Sequence, residues 1–365
     1  MTTKRRVAIL TPSLTTGDGV SNDVLGEFDV LTRNGHDVRL FCESHSLKHS
    51  AVYDVARLRK FLKSSADILI YHHSRGWNTG PELIQELSCR RVIRYHNITP
   101  AEFFQHFSQT DQNVSESGRR QLIDLVAAQC DLYISASSFS MQELIATGAD
   151  ASRLFVAPPF HHIDRLSRIN EDKTTVEKFS DETANILTVS RVVPHKNVHH
   201  LIEVFAHYHF DYNHKSRLIV VGKGGEGFSP YSKLLYSAVQ KLGLTNAVVF
   251  TGGVSDEVLK AYYLVADAFV TVSEHEGFCV PLVEAMSMKL PITAYATSAI
   301  PETLGNAGLV WTERNPMLIA ESIDRFVTDE SVRIALGERG YRRYASMFTN
   351  EKVERTFLQA ISKLQ

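Results

Sequence analysis

Short runs of consecutive apolar residues recur along this chain, separated by longer stretches in which apolar residues return every three or four positions. The first set of runs covers residues 7–10, 38–42, 67–71, 91–95, 131–136 and 154–157; the second covers 185–190, 217–222, 247–251, 268–273 and 291–294. Runs this short, rich in Val and Ile and lacking a polar face, read as strands buried on both sides of a sheet. The intervening stretches predict helices, among them 23–33, 117–129, 140–147, 198–208, 282–289 and 317–329, with a last helical region from 341 to 364 that breaks near 348–349. Strand and helix in alternation give an α/β chain of doubly wound parallel sheets. Residues 164–183 are polar and charged with few apolar positions, so they are expected to be the linker between two domains.

At 365 residues the chain is long enough for two domains with separate cores. A formal net charge of −2 lacks the basic excess of a nucleic-acid binder. The four cysteines, Cys42, Cys89, Cys130 and Cys279, are far apart and form no Cys-x-x-Cys pair, which points to a reducing compartment without a cysteine zinc site. The apolar run at 7–10 is too short for a signal peptide, and none reaches membrane-spanning length. A cytoplasmic protein is expected. The basic segment 55–62, with Arg57, Arg59 and Lys60, reads first as a solvated helix face, with peripheral contact at an anionic inner-membrane surface as the alternative.

The most informative stretch is Ser273-Glu-His-Glu-Gly-Phe-Cys-Val-Pro-Leu-Val-Glu284. A buried strand precedes it and a helix follows, with Pro281 expected at the first helical position. Phe278, Cys279 and Val280 are poor caps, so the first helical amides lack an evident side-chain acceptor and suit a phosphate or sugar oxygen. Glu276 and Glu284 bracket the turn with seven residues between them. One acid near a helix start is common for dipole reasons; one on each side of an uncapped turn calls for another explanation.

This segment resembles the donor-binding signature of the retaining glycosyltransferases of family 4, also called glycosyl transferases group 1, which have the GT-B fold. It departs from their pattern at Cys279, where Gly is common. The resemblance spans nearly the whole chain and is strongest over 188–308. It implies two Rossmann-like domains facing a central cleft: residues 1–165 binding the acceptor, residues 184–349 binding a nucleotide-sugar donor, and a final segment after about 350 packing back on the first domain. A hinge at 164–183 would let the domains close. Arg191 and Lys196, in a strand-to-helix loop, suit the donor diphosphate. Gly222 and Gly224 belong to a Gly-x-Gly-x-x-Gly run that lacks the acid expected of a dinucleotide fingerprint. Gly19, in the turn-rich loop after the first strand, and Gly277, Phe278, Cys279 and Val280 are further donor-binding candidates. Glu284 would accept from ribose hydroxyls and Glu276 from sugar hydroxyls. His96 resembles the residue this family places beside the transferring sugar and acceptor. Arg191, Lys196, Glu276 and His96 are thus the catalytic set, without an assigned nucleophile.

No metal or other cofactor is expected. The adjacent His72 and His73 point to opposite faces of a strand, and no carboxylate lies at ligand spacing in the sequence. The implied partners are a nucleotide-diphosphate sugar and a glycan or lipid-linked acceptor. The alternatives are a catalytically silent GT-B partner in a glycan-assembly complex and another GT-B enzyme, such as a sugar-nucleotide epimerase or a phosphorylase.

Overall fold

The computed structural model describes residues 4–224 and 230–364. The chain divides into two compact units: Met1–His162 with Asn350–Gln365, and Ile163–Thr349.

The first unit holds a seven-stranded parallel sheet built from β1 (Arg6–Leu10), β2 (Asp37–Cys42), β3 (Val52–Asp54), β4 (Ile68–His73), β5 (Arg90–Tyr95), β6 (Leu132–Ser135) and β7 (Leu154–Val156), in the order β3-β2-β1-β4-β5-β6-β7. β1 pairs with both β2 and β4, so the chain reverses its direction of winding between β1 and β4. That reversal opens a crevice at the carboxyl ends of the two strands, where ligands bind in open α/β sheets.

Helix α1 (Gly19–Arg33) follows β1 and packs over this point. It begins earlier than the predicted 23–33, because Asp18 is a strong cap: its carboxylate accepts from the Ser21 amide at 3.0 Å. Gly19 is therefore the first helical residue rather than part of a loop. Val24, Val30 and Leu31 of α1 share a core with Val7 and Ile9 of β1 and with Val353, Phe357 and Ala360 near the chain's end. Phe160 meets Phe357 edge-on, ring centroids 5.6 Å apart. A Cβ on Gly26 would stand 2.3 Å from Phe160, so glycine at that position is what lets the ring seat against α1. On the sheet's other face Leu69, Tyr71 and Ile93 pack with Leu83, Ile84, Leu122 and Leu125.

The second unit repeats the architecture with six parallel strands: β8 (Ala184–Val189), β9 (Ser216–Val221), β10 (Val248–Gly252), β11 (Ala268–Thr271), β12 (Ile292–Tyr295) and β13 (Leu309–Trp311), in the order β10-β9-β8-β11-β12-β13. Its reversal lies between β8 and β11. Residues 164–183, expected to be a linker, instead fold with this unit as two short helices, Ile163–Arg168 and Lys173–Phe179. Their few apolar side chains do the anchoring: Ile163, Leu166 and Phe179 are buried, and Phe179 meets Tyr262 edge-on. Arg165 also pairs with Asp256 at 3.0 Å. Composition understated this segment because three well-placed apolar residues suffice to dock it. The last helix, α4 (Asn350–Ile361), clusters with the first unit; α2 (Val198–His207) and α3 (Val280–Ser287) flank the second reversal.

Candidate functional site

In the second unit the loops leaving β8 and β11 meet. The Glu274 amide donates to the His195 carbonyl at 2.8 Å. Lys196 Nζ reaches Glu276 Oε1 at 2.6 Å, both side chains being mostly buried. Asn197 adopts a left-handed backbone, φ 57°, and its side-chain amide points to the Val272 carbonyl and Glu274 Oε1, both at 3.3 Å. Asn197 does not cap α2 with its own side chain; the His199 amide in the first turn donates instead to the Tyr231 hydroxyl at 3.4 Å.

Helix α3 likewise gets no cap from its N-cap side chain. Its N-cap, Cys279, has φ 74°, the left-handed region that favours glycine. The turn after Gly277 thus adopts the conformation glycine usually supplies, with a cysteine in its place. Burial, followed by the nearby Glu276 carboxylate, holds the Cys279 thiol well above its ordinary pKa, so it stays neutral. Helix α3 starts at Val280, which makes Pro281 its second residue rather than its first; proline is tolerated there because the first-turn amides have no intrahelical acceptor. Two helix N-termini therefore open beside the Lys196–Glu276 pair, and at α3 the N-cap side chain takes up none of the amides. Such ends carry partial positive charge and bind anions.

The remaining candidates of this unit lie around the same loops. Arg191 follows β8, is exposed, and makes no ion pair among the described residues. Beside it, burial and then the Lys196 and Arg191 charges push His195 well below the usual imidazole pKa, keeping the ring neutral. Gly222 has φ 145°, and a Cβ there would stand 1.8 Å from the Ser190 carbonyl oxygen; a glycine is required for β9 to end against β8. Gly224 bridges to Val192, and the Val192 amide donates to the Lys223 carbonyl at 2.9 Å, tying the glycine loop to the loop carrying Arg191. The rest of that run, residues 225–227, lies outside the described residues. Phe278 is buried and edge-on to Phe348. Glu284, also buried, accepts from the Tyr263 hydroxyl at 2.6 Å. Glu276 is held through its backbone: its amide donates to Ser298 Oγ at 2.7 Å. Tyr263, Ser298 and Asn197 were not foreseen, since each acts across a fold contact that no local spacing records.

In the first unit the sequence offered His96, after β5. Its ring Nε2 lies 2.9 Å from His72 Nδ1, and His72 Nε2 lies 3.1 Å from Glu27 Oε2. Arg94 grips Asp23 through Nε at 2.7 Å and Nη2 at 3.3 Å, and its Nη1 donates to the Ala157 carbonyl at 2.8 Å. His72 and His73 do face opposite sides: His73 lies 3.2 Å from the Tyr71 hydroxyl and 2.9 Å from the Gly118 carbonyl. The sequence found no carboxylate partner for these histidines; the fold sets Glu27 3.1 Å from His72 and Asp23 3.8 Å from His96, the two acids sitting one turn apart on the inward face of α1. A readable trace existed: two acids four apart inside an apolar stripe, and an arginine inside an apolar strand. Ring nitrogens of His72 and His96 and an Asp23 oxygen lie within 4.8 Å of one another, with the Arg94 guanidinium on Asp23 and His72 in direct contact with His96.

Residues 170–343 match the family described as glycosyl transferases group 1. A GDP-mannose-dependent α-(1-6)-phosphatidylinositol monomannoside mannosyltransferase of Mycobacterium tuberculosis is 24% identical over 232 residues, 60% of this chain and 59% of that protein. A D-inositol 3-phosphate glycosyltransferase of Corynebacterium jeikeium is 28% identical over 283 residues, 73% of this chain and 66% of its own length. These matches thus span about three-fifths to two-thirds of the curated relatives. Among solved structures, Anabaena HepE in complex with UDP and glucose superposes with a TM-score of 0.78 at 19% identity, covering 98% of this chain and 99% of the other. No described helix is long and apolar enough to cross a membrane. The second unit thus matches the glycosyl transferases group 1 family over residues 170–343, and the chain as a whole has the GT-B fold.

Proposed function

We propose that this protein is a retaining glycosyltransferase that moves a hexose, of mannose or glucose/N-acetylglucosamine type, from a nucleotide-diphosphate sugar to a glycan or lipid-linked acceptor in bacterial polysaccharide or lipopolysaccharide synthesis. The observation that carries this reading is the Lys196–Glu276 pair at the β8/β11 reversal, beside the start of α3, whose N-cap residue makes no side-chain cap. A diphosphate entering there competes with Glu276 for Lys196 and takes the amides of α3. Lys196 then neutralises charge on the departing diphosphate, and Arg191 supplies a second cation. Glu276, relieved of its lysine, accepts from hydroxyls of the sugar. Glu284, oriented by Tyr263, accepts from the ribose. Preorganised cations and amides do the work of charge stabilisation, and no metal is invoked. His96 contacts the sugar or the acceptor hydroxyl. Names among the relatives support the donor class: GDP-mannose for the mycobacterial protein, and UDP with glucose for HepE.

Thermal stabilisation by GDP, UDP, ADP, TDP and CMP, each with and without EDTA, tests the reading. One nucleoside diphosphate is expected to raise the melting temperature by mass action, unaffected by EDTA. No shift with any of them would contradict it and favour a silent partner protein.

A further inference from the structure

Behind His96 lies a file of groups that donor binding does not use. Glu27 and His72 are fully buried, whereas the His96 side chain keeps 12% exposure. With Nε2 of His96 engaged by His72, Nδ1 is the ring nitrogen left to meet a substrate. The His96 amide donates to the His73 carbonyl at 3.1 Å, and Asn97 after it turns left-handed, φ 59°. Its side chain is tied to Ser140 at 3.2 Å. The backbone is therefore held on both sides, and the ring stacks on His72 with centroids 5.1 Å apart.

We propose that Glu27 and His72 are positioning residues forming a buried proton relay to His96, which lets His96 Nδ1 take the proton of the acceptor hydroxyl without any imidazolium being formed. The inference rests on the glycosyltransferase reading above. The heavy-atom geometry fits two proton arrangements. With Glu27 ionised, His72 donates from Nε2 to the carboxylate, His96 donates from Nε2 to His72 Nδ1, and His96 Nδ1 is an acceptor. With Glu27 protonated, each bond runs the other way and His96 Nδ1 carries hydrogen.

Transfer converts the first arrangement into the second. The acceptor oxygen bonds to the anomeric carbon as the bond from that carbon to the diphosphate oxygen breaks, its electron pair leaving with the diphosphate. The hydroxyl proton passes to His96 Nδ1, the His96 Nε2 proton to His72 Nδ1, and the His72 Nε2 proton to Glu27. One negative charge moves from Glu27 to the departing diphosphate, and both imidazoles stay neutral. After product release the proton returns to water by the same path.

The surroundings favour this division of labour. Asp23 on α1 and Arg94 on β5 form the permanent ion pair. Burial alone would raise Asp23, but the Arg94 charge, with His96 and His72, brings it below the usual carboxylate range. Glu27 is left without a full partner: its Oε1 is 3.5 Å from Arg94 Nε and has no hydrogen bond. Burial and the Asp23 charge push Glu27 well above the ordinary range, so it can hold a proton nearer neutrality. Burial also lowers both histidines to about 3, with Arg94 opposing their charging and Asp23 favouring it. Asp18, at the start of α1, is a further charge felt by His96. Neutral imidazoles between a hydroxyl and a high-pKa carboxyl are what a relay requires.

Two measurements test it. Ring ¹⁵N spectra of the histidine-labelled wild-type chain are expected to show His96 Nδ1 passing from protonated to unprotonated as pH rises, with no imidazolium signal above pH 5. Charging of His96 near pH 6, or a tautomer indifferent to pH, would overturn the relay whatever the activity. In transfer assays from pH 5 to 9, kcat of the wild type should rise with pH through one ionisation. Glu27→Gln should lose about tenfold or more in kcat and flatten that limb, with donor KM unchanged. A Glu27→Gln protein with wild-type kcat and pH limb would equally overturn it. Nucleotide-induced thermal stabilisation, run on both proteins, reports separately on the donor site.

Discussion

The two sheets reverse direction at equivalent places, and the chemistry at the two reversals is opposite in kind. Between β1 and β4 the charges are sealed in: Asp23, Glu27 and Arg94 are buried, and α1 starts with a proper cap in Asp18. Between β8 and β11 the charges lie nearer solvent, and neither N-cap residue, Asn197 nor Cys279, caps its helix with its side chain. Capping a helix end satisfies its amides internally; leaving it uncapped reserves them for a ligand. On the proposed reading the first reversal orients His96 and the second receives an anion. The same strand order serves both, which is why site chemistry rather than topology decides function.

That contrast breaks first at Arg94. Arg94→Met leaves Asp23 buried without its partner, and the chain should lose about 3–5 kcal/mol of stability, read as a lowered denaturant midpoint, with the loss confined to the first unit in hydrogen exchange. A stable Arg94→Met protein would show that the sealed cluster carries no structural weight.

Acid should act on the same unit. His72 and His96 are lowered to about 3 and His73 to about 4, chiefly by burial. Groups held neutral in the fold but charged when unfolded stabilise fully above their unfolded pKa near 6.5, and that stability is lost as pH falls below it. Glu27, raised in the fold, works in the opposite sense. At about 1.4 kcal/mol per pH unit for each proton, the three histidines cost at most about 5 kcal/mol between pH 6.5 and 5, less what Glu27 offsets. Hydrogen-exchange protection of β4 and β5 against pH would show it; protection unchanged to pH 5 would contradict the buried neutral state.

At the second reversal the expected effects are on binding. Glu284→Ala should weaken the stabilising nucleotide by about 2 kcal/mol, the range of a hydrogen bond to a charged group, and Tyr263→Phe by about 1 kcal/mol or less. Titration calorimetry distinguishes the two; equal effects would mean that Tyr263, not Glu284, makes the contact. The smallest effect is at Cys279. Replacing it with glycine relieves a left-handed strain of about 1 kcal/mol but forfeits a buried thiol, so Cys279→Gly should change the melting temperature little and keep nucleotide binding.

The sequence disclosed these regions unequally for a physical reason. Glu276, Gly277, Cys279 and Glu284 are neighbours along one strand–turn–helix, so their spacing carries the site directly. Ser255 could likewise be seen as a cap, and its hydroxyl accepts from Val258 as the start of Asp256–Val265 requires. The Glu27–His72–His96 file draws on a helix and two strand ends and becomes adjacent only when the sheet forms. His96 was visible because it ends a strand, whereas what stands behind it was not. Residues 164–183 misled because a few apolar anchors outweigh a polar average.

Lys196 and the helix starts of the second unit are proposed to bind the diphosphate of a nucleotide donor. Calorimetric titration of the stabilising nucleoside diphosphate and of its parent nucleoside, in EDTA, against wild type and Lys196→Ala, tests it most directly. The diphosphate is expected to bind the wild type at least about a hundredfold tighter than the nucleoside, about 2.7 kcal/mol or more, and Lys196→Ala to remove most of that difference. Equal binding of nucleoside and diphosphate, or a Lys196→Ala protein that still discriminates fully, would contradict it.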